Sequence, residues 1–137
     1  MGDPTQLTDL SVQELLERLG SSDPVPGGGS ASALAAAMGA ALVAMVAELT
    51  IGRAEYVEHE ETVRHLRFDA IERRAELVSL AQEDATAYDA VVQARRMPKD
   101  TEADKATRTE ALGKAMVGAA RSESRTTCGS RRRSCIT

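Results

Sequence analysis

The sequence predicts an all-α protein, an antiparallel up-and-down helical bundle. Three observations carry that expectation. Apolar residues recur at steps of three and four in every long segment, and no stretch alternates apolar and polar residues as a strand does. Hydrophobic residues make up 42% of the chain but aromatic residues only 2%, so the core must rest on Leu, Met, Val and Ala, the materials of close-packed helices. The breaks between periodic segments are short, and short links place successive helices side by side and antiparallel. With 137 residues, one domain is the default.

The first helix is announced by Ser11-Val12-Gln13-Glu14, a capping box. Leu15, Leu16 and Leu19 follow at helical spacing, and Gly20 offers a stop. Next comes Asp23-Pro24-Val25-Pro26-Gly27-Gly28-Gly29-Ser30. Two prolines stiffen the approach, three glycines remove every side chain, and Ser30 is placed to cap the helix that follows. A bare loop at a helix N-terminus suits an anion, because unpaired N–H groups point outward there. It equally suits a tight turn that lets one helix pack closely on another. It is not a P-loop, since no Gly-Lys-Ser/Thr follows the glycines, nor a dinucleotide loop, since the glycines are not spaced and follow no strand.

The second helix is expected from about Ser30 to Arg53. Ala31 to Ala47 is a run of seventeen uncharged residues, nine of them alanine. Leu34, Met38, Leu42, Met45 and Leu49 form a bulky stripe; Ser32, Ala36, Ala40 and Ala44 form a small one, with Ala35, Gly39, Val43 and Ala47 beside it. Small residues four apart let two backbones approach closely, for a steric reason that holds in water as in lipid. A helix apolar on all sides needs partners on all sides, and a second subunit is a natural source. Its length is near the lower limit for a membrane span. Its alanine content, Gly39 and the closing Glu48 favour a buried central helix instead.

A third helix runs from about Thr62 to Arg96, with Val63, Leu66, Ala70, Leu77, Leu80, Ala81, Tyr88 and Val91 on its apolar face. Asp84 lies along that face, four residues from both Leu80 and Tyr88. A carboxylate there is either at the bundle's edge in reach of a surface partner, or buried and paired. Met97-Pro98-Lys99-Asp100 breaks the helix. Thr101 caps a fourth, with Glu102 and Asp104 in its first turn and Ala103, Ala106, Leu112, Ala115, Met116 and Ala119 along it.

After Ala120 the composition changes. Residues 121–137 contain five Arg, clustered Ser and Thr, both cysteines (Cys128 and Cys135) and a single aliphatic residue, Ile136. A domain at residues 1–120 followed by a basic tail is therefore expected, the tail being disordered or out of frame. The formal net charge is −4, but without the tail 12 basic and 20 acidic residues leave −8. An acidic body argues against a nucleic-acid surface. No disulfide can staple the body, and the two cysteines have no histidine near them to make a metal site. His59 and His65 are six apart, off the spacing of paired helical ligands, in a charged surface stretch. The N-terminus has no basic start leading into an apolar run, so no secretory leader and a cytoplasmic location are expected.

In order along the chain, Pro26-Gly27-Gly28-Gly29-Ser30, Met38-Gly39-Ala40-Ala41-Leu42, Leu49-Thr50-Ile51-Gly52-Arg53, Glu83-Asp84, Ala87-Tyr88-Asp89-Ala90-Val91, Met97-Pro98-Lys99 and Arg108 resemble the cyclodeaminase/cyclohydrolase family. That family comprises the C-terminal domain of formiminotransferase-cyclodeaminase and its stand-alone bacterial relatives. The resemblance covers roughly residues 10–120. It implies a dimeric helical bundle with folate sites near the subunit interface. It implies closure of 5-formimino-tetrahydrofolate to 5,10-methenyl-tetrahydrofolate with release of ammonia, or interconversion of the methenyl and 10-formyl forms with water. No metal or redox cofactor is implied; the tetrahydrofolate derivative is substrate. Family members continue past the position of Ala120 with further helices, so the chain reads as a family domain cut short.

Cyclodeamination needs a base for the N10 proton and an acid for the departing nitrogen, and one carboxyl group can serve both in turn. The resemblance and the apolar face together point to Asp84, with Tyr88 one turn on either hydrogen-bonding in the same region or packing. Gly27, Gly28, Gly29 and Ser30 are expected to receive a folate carboxylate through backbone N–H groups, with Arg53 and Lys99 as counter-charges. The competing reading is a non-catalytic helical dimerisation or adaptor module, in which the small-residue helix is only a subunit contact.

Overall fold

The computed structural model describes residues 6–128, with side chains described through residue 120. Four α-helices follow in order: α1 (Val12–Leu19), α2 (Gly28–Thr50), α3 (Glu60–Arg96) and α4 (Glu102–Cys128). Short 3-10 turns at Leu7–Asp9 and Ala54–His59 precede α1 and α3. No strand occurs among the described residues, as the periodicity requires. Arg131 to Arg133, Cys135 and Ile136 lie outside them.

α3 is the mast of the molecule. Its 37 residues span roughly 55 Å, and both other long helices pack antiparallel along it. The pairing of α2 is fixed at both ends. Ser30 meets Ala81 and Asp84 at one end, and Glu48 pairs with Arg67 at the other. α4 folds back over the C-terminal part of α3, where the Arg108 guanidinium donates to the Arg95 carbonyl at 3.3 and 3.4 Å. α1 lies across α2 and α3, with Leu15 and Leu34 beside a core cluster of Leu7, Ala33, Ala81 and Ala85.

The local stop and start signals act as their chemistry demands. Ser11 accepts the Glu14 N–H at 3.2 Å, and Glu14 reaches back to the Ser11 N–H at 2.8 Å, closing the capping box. Ser11's side-chain bond first, then its backbone bond, holds the Glu14 carboxyl below its ordinary range. Thr101 and Asp104 make the same reciprocal pair at the start of α4, both bonds at 3.1 Å. Gly52, with φ 81°, takes the left-handed conformation that turns the chain after α2.

Three expectations are corrected. α2 begins at Gly28 with Gly27 as its N-cap, so Ser30 does not cap it but sits inside the first turn. The small stripe that meets α3 is Ser30, Ala33, Ala37, Ala40, Ala44 and Ala47, whereas Ser32 and Ala36 face outward. The backbone reason is that helix packing follows the row with the shortest side chains, which lets the axes approach. The helix α4, moreover, does not stop at Ala120; its backbone continues to Cys128 across the change in composition.

The other side of α2 is bare. Met38, Leu42, Met45, Val46 and Leu49 are each more than half exposed, an apolar face that the described residues leave largely uncovered. By length and composition alone α2 would pass for a membrane span. Its ion pair to α3 through Glu48, and its seam of hydrogen bonds at Ser30, fit a helix packed in a bundle.

Candidate active site

The N-terminal turn of α2 and the seventh turn of α3 meet at one corner, and Asp84, the candidate carboxylate, stands in it. Ser30 Oγ lies 2.9 Å from Asp84 Oδ2 and 3.0 Å from the Ala81 carbonyl oxygen. Ser30 is fully enclosed, at 0% exposure, while Asp84 is half-buried. The alternatives left open for Asp84 thus resolve in favour of a paired, partly enclosed group.

Gly29 makes this approach possible. A Cβ built on it would lie 2.6 Å from both Asp84 carboxylate oxygens and 2.8 Å from Cγ. The carboxylate therefore rests flat against the backbone of α2's first turn, at the positive end of the helix dipole. Gly28 has nothing within 4 Å, and Gly27 meets only the Pro24 carbonyl at 4.0 Å. The three glycines that look equivalent in the sequence are not equivalent in space. The anion seated at this helix start is the protein's own.

The remaining candidates are dispersed. Tyr88 is one turn beyond Asp84 on α3 and 42% exposed, so its ring is not locked in the core. An apolar groove of about 610 Å³ between α3 and α4 begins at Ala87, three residues from Asp84, and ends at Met97. Lys99 is exposed just past that end. Arg53 is exposed in the turn after α2, a full helix length of roughly 35 Å from the glycines, so one chain does not bring it to Asp84. His59 and His65 are both exposed. Among the described residues no cluster of three or more His, Cys, Asp or Glu side chains is placed to hold a metal.

Two supporting residues were invisible to local pattern. The Ala81 carbonyl shares the Ser30 hydroxyl, and Gln82 Oε1 accepts the Leu7 N–H at 2.7 Å, pinning the N-terminal arm beside the corner. Both contacts join positions more than fifty residues apart, so no window of the sequence signals them.

The sequence profile of the formiminotransferase-cyclodeaminase family matches residues 11–127. Methenyltetrahydrofolate cyclohydrolase of Methylorubrum extorquens is 41% identical over 106 residues, which are 77% of this chain and 51% of that protein. The formimidoyltransferase-cyclodeaminases of Rattus norvegicus and Sus scrofa are 37% and 38% identical over 111 residues, which are 81% of this chain and 20% of each of theirs. The chain thus spans about half the length of the cyclohydrolase and a fifth of the bifunctional proteins.

Proposed function

The chain belongs to the formiminotransferase-cyclodeaminase family, and from that premise we propose that it serves one-carbon folate chemistry. The reaction is cyclisation of formimino-tetrahydrofolate to the methenyl form with loss of ammonia, or the interconversion of methenyl and formyl forms with water. The observation that carries this reading is the Asp84 corner. A single carboxylate, held by an enclosed hydroxyl and seated against Gly29, is a group that can take the N10 proton and deliver one to the departing nitrogen. No second acid is needed.

The groove that opens at Ala87 supports the placement of substrate. Five alanines, Met97 and Gly118 line it, with Gln93 and Lys114 as its polar groups, and the small side chains leave room for flat rings along α3. A folate whose reacting atoms lie at Asp84 then carries its glutamate toward Lys99, the counter-charge that the resemblance suggests. Arg53 serves such a site only from a second copy of the chain. A cytoplasmic location fits the relatives' chemistry.

The bare apolar face of α2 supports a homodimer. Leu42 is 58% exposed, at the rim of a groove shared with Val63 and Leu66, so Leu42→Glu leaves its charge in solvent within one protomer and is expected to turn a dimer into a folded monomer. Sedimentation velocity with circular dichroism checks this; an unchanged sedimentation coefficient would place the subunit contact elsewhere.

The functional reading is tested by thermal shift and turnover. Tetrahydrofolate in excess over its Kd is expected to raise the Tm of the chain, and formimino- or methenyl-tetrahydrofolate to be consumed. A chain that dimerises, yet neither binds nor converts any reduced folate, is the adaptor module instead.

A further inference from the structure

We propose that Ser30 is a positioning residue for Asp84, a partner that serves the carboxyl group in both protonation states without movement of any heavy atom. This rests on the reading of Asp84 as the acid–base group. Ser30 was expected to touch substrate. Full enclosure denies it that contact, and its hydroxyl points into the seam between α2 and α3.

The hydroxyl has one proton and two acceptors in reach, Asp84 Oδ2 at 2.9 Å and the Ala81 carbonyl at 3.0 Å. When Asp84 is ionised, the hydroxyl donates to Oδ2. When Asp84 carries a proton on Oδ2, that proton is donated to Ser30 Oγ, and the hydroxyl turns its own proton to the Ala81 carbonyl. Either arrangement leaves no enclosed polar atom unpaired, so neither is penalised by an orphaned donor or acceptor. A group that must accept a proton and release it in the same turnover needs both. The proton that moves in catalysis passes from the substrate's N10 to Asp84 and from Asp84 to the leaving nitrogen. The Ser30 proton never leaves its oxygen.

Few other titratable groups face the pair. The N-cap and first two turns of α2, residues 27–33, contain none. On α3, Glu83 is adjacent to Asp84 and Tyr88 is one turn away. The 3-10 turn before α1 contributes Leu7 to the corner, and its Asp9 is exposed. Along the described part of α4, Arg108 and Lys114 lie further up α3, against Arg95 and at the groove between Ala87 and Met97.

The test follows the Ser30 hydroxyl proton by NMR through a pH titration, in wild type and in Asp84→Asn. An enclosed, hydrogen-bonded hydroxyl exchanges slowly enough to be seen. Its resonance is expected to move as Asp84 titrates and to stay fixed in Asp84→Asn. A resonance that ignores pH in wild type, or that moves equally in Asp84→Asn, overturns the proposal. Kinetics supply a second arm: Ser30→Ala is expected to lower kcat by about 10- to 100-fold while KM stays within about twofold, with partial recovery in Ser30→Cys. Wild-type kinetics in a folded Ser30→Ala also overturn it. If the wild-type chain neither binds nor converts folate, the functional reading fails, and the NMR arm still decides whether Ser30 follows the state of Asp84.

Discussion

Asp84→Asn is expected to leave the chain folded, able to bind reduced folate, and slower in turnover by about 10²- to 10⁴-fold. The substitution keeps the shape of the side chain and removes only its capacity to take up and release a proton. The Asn side-chain oxygen still accepts from Ser30 Oγ, or its amide donates there while the hydroxyl turns to Ala81, so the seam between α2 and α3 stays satisfied. Melting temperature and folate affinity therefore act as internal controls. Steady-state rates on formimino- and methenyl-tetrahydrofolate, measured beside the wild-type chain, read the loss. Turnover within about twofold of wild type would remove Asp84 from the chemistry and leave it a structural clasp.

Gly29→Ala is expected to lose activity for a different reason, by displacing the carboxylate rather than changing it. The new methyl group would stand 2.6 Å from both carboxylate oxygens, well inside contact distance. Asp84 has only two side-chain torsions, so it must swing away from Ser30, and the enclosed hydroxyl keeps only the Ala81 carbonyl. The helix itself gains from Ala over Gly by roughly 1 kcal/mol, about what a lost hydrogen bond costs. Stability should thus change little while kcat falls about 10- to 100-fold. Gly28→Ala is the control: nothing lies within 4 Å of its added methyl, and activity should survive. If both variants behave alike, the glycines act through backbone freedom and not through room for Asp84.

This pair of variants separates two readings that the sequence alone could not. Three consecutive glycines before a helix suggest either an anion cradle open to ligand or a tight turn that lets one helix pack closely on another. Gly27 has an ordinary extended backbone, with φ −100° and ψ −170°, and among the described residues only Gly52 adopts a positive φ. What Gly29 provides is therefore space. It is filled by a carboxylate from a residue in another helix, and the serine first expected to cap α2 binds that same carboxylate.

Much of the fold was legible because its causes are local. The caps at Ser11 and Thr101, the break at Met97-Pro98 and the helical period of α3 arise from contacts three or four residues apart, and each stands where the residues put it. Asp84 was legible as an anomaly, a charge along an apolar face. The face of α2 that meets α3 was not legible, because a helix apolar all round looks the same from every side. Shape chose it: six small side chains permit a close approach, and the bulky row was left outside.

The sequence by itself determined an all-helical chain, the order of its helices, and the family to which it belongs. Only the tertiary structure decided which glycine matters, what Ser30 binds, and which face of α2 meets α3. The physical reason is distance along the chain. A helix writes its rules into neighbouring residues, whereas the bond from Ser30 to Asp84 spans 54 positions and exists only once two helices have found their register.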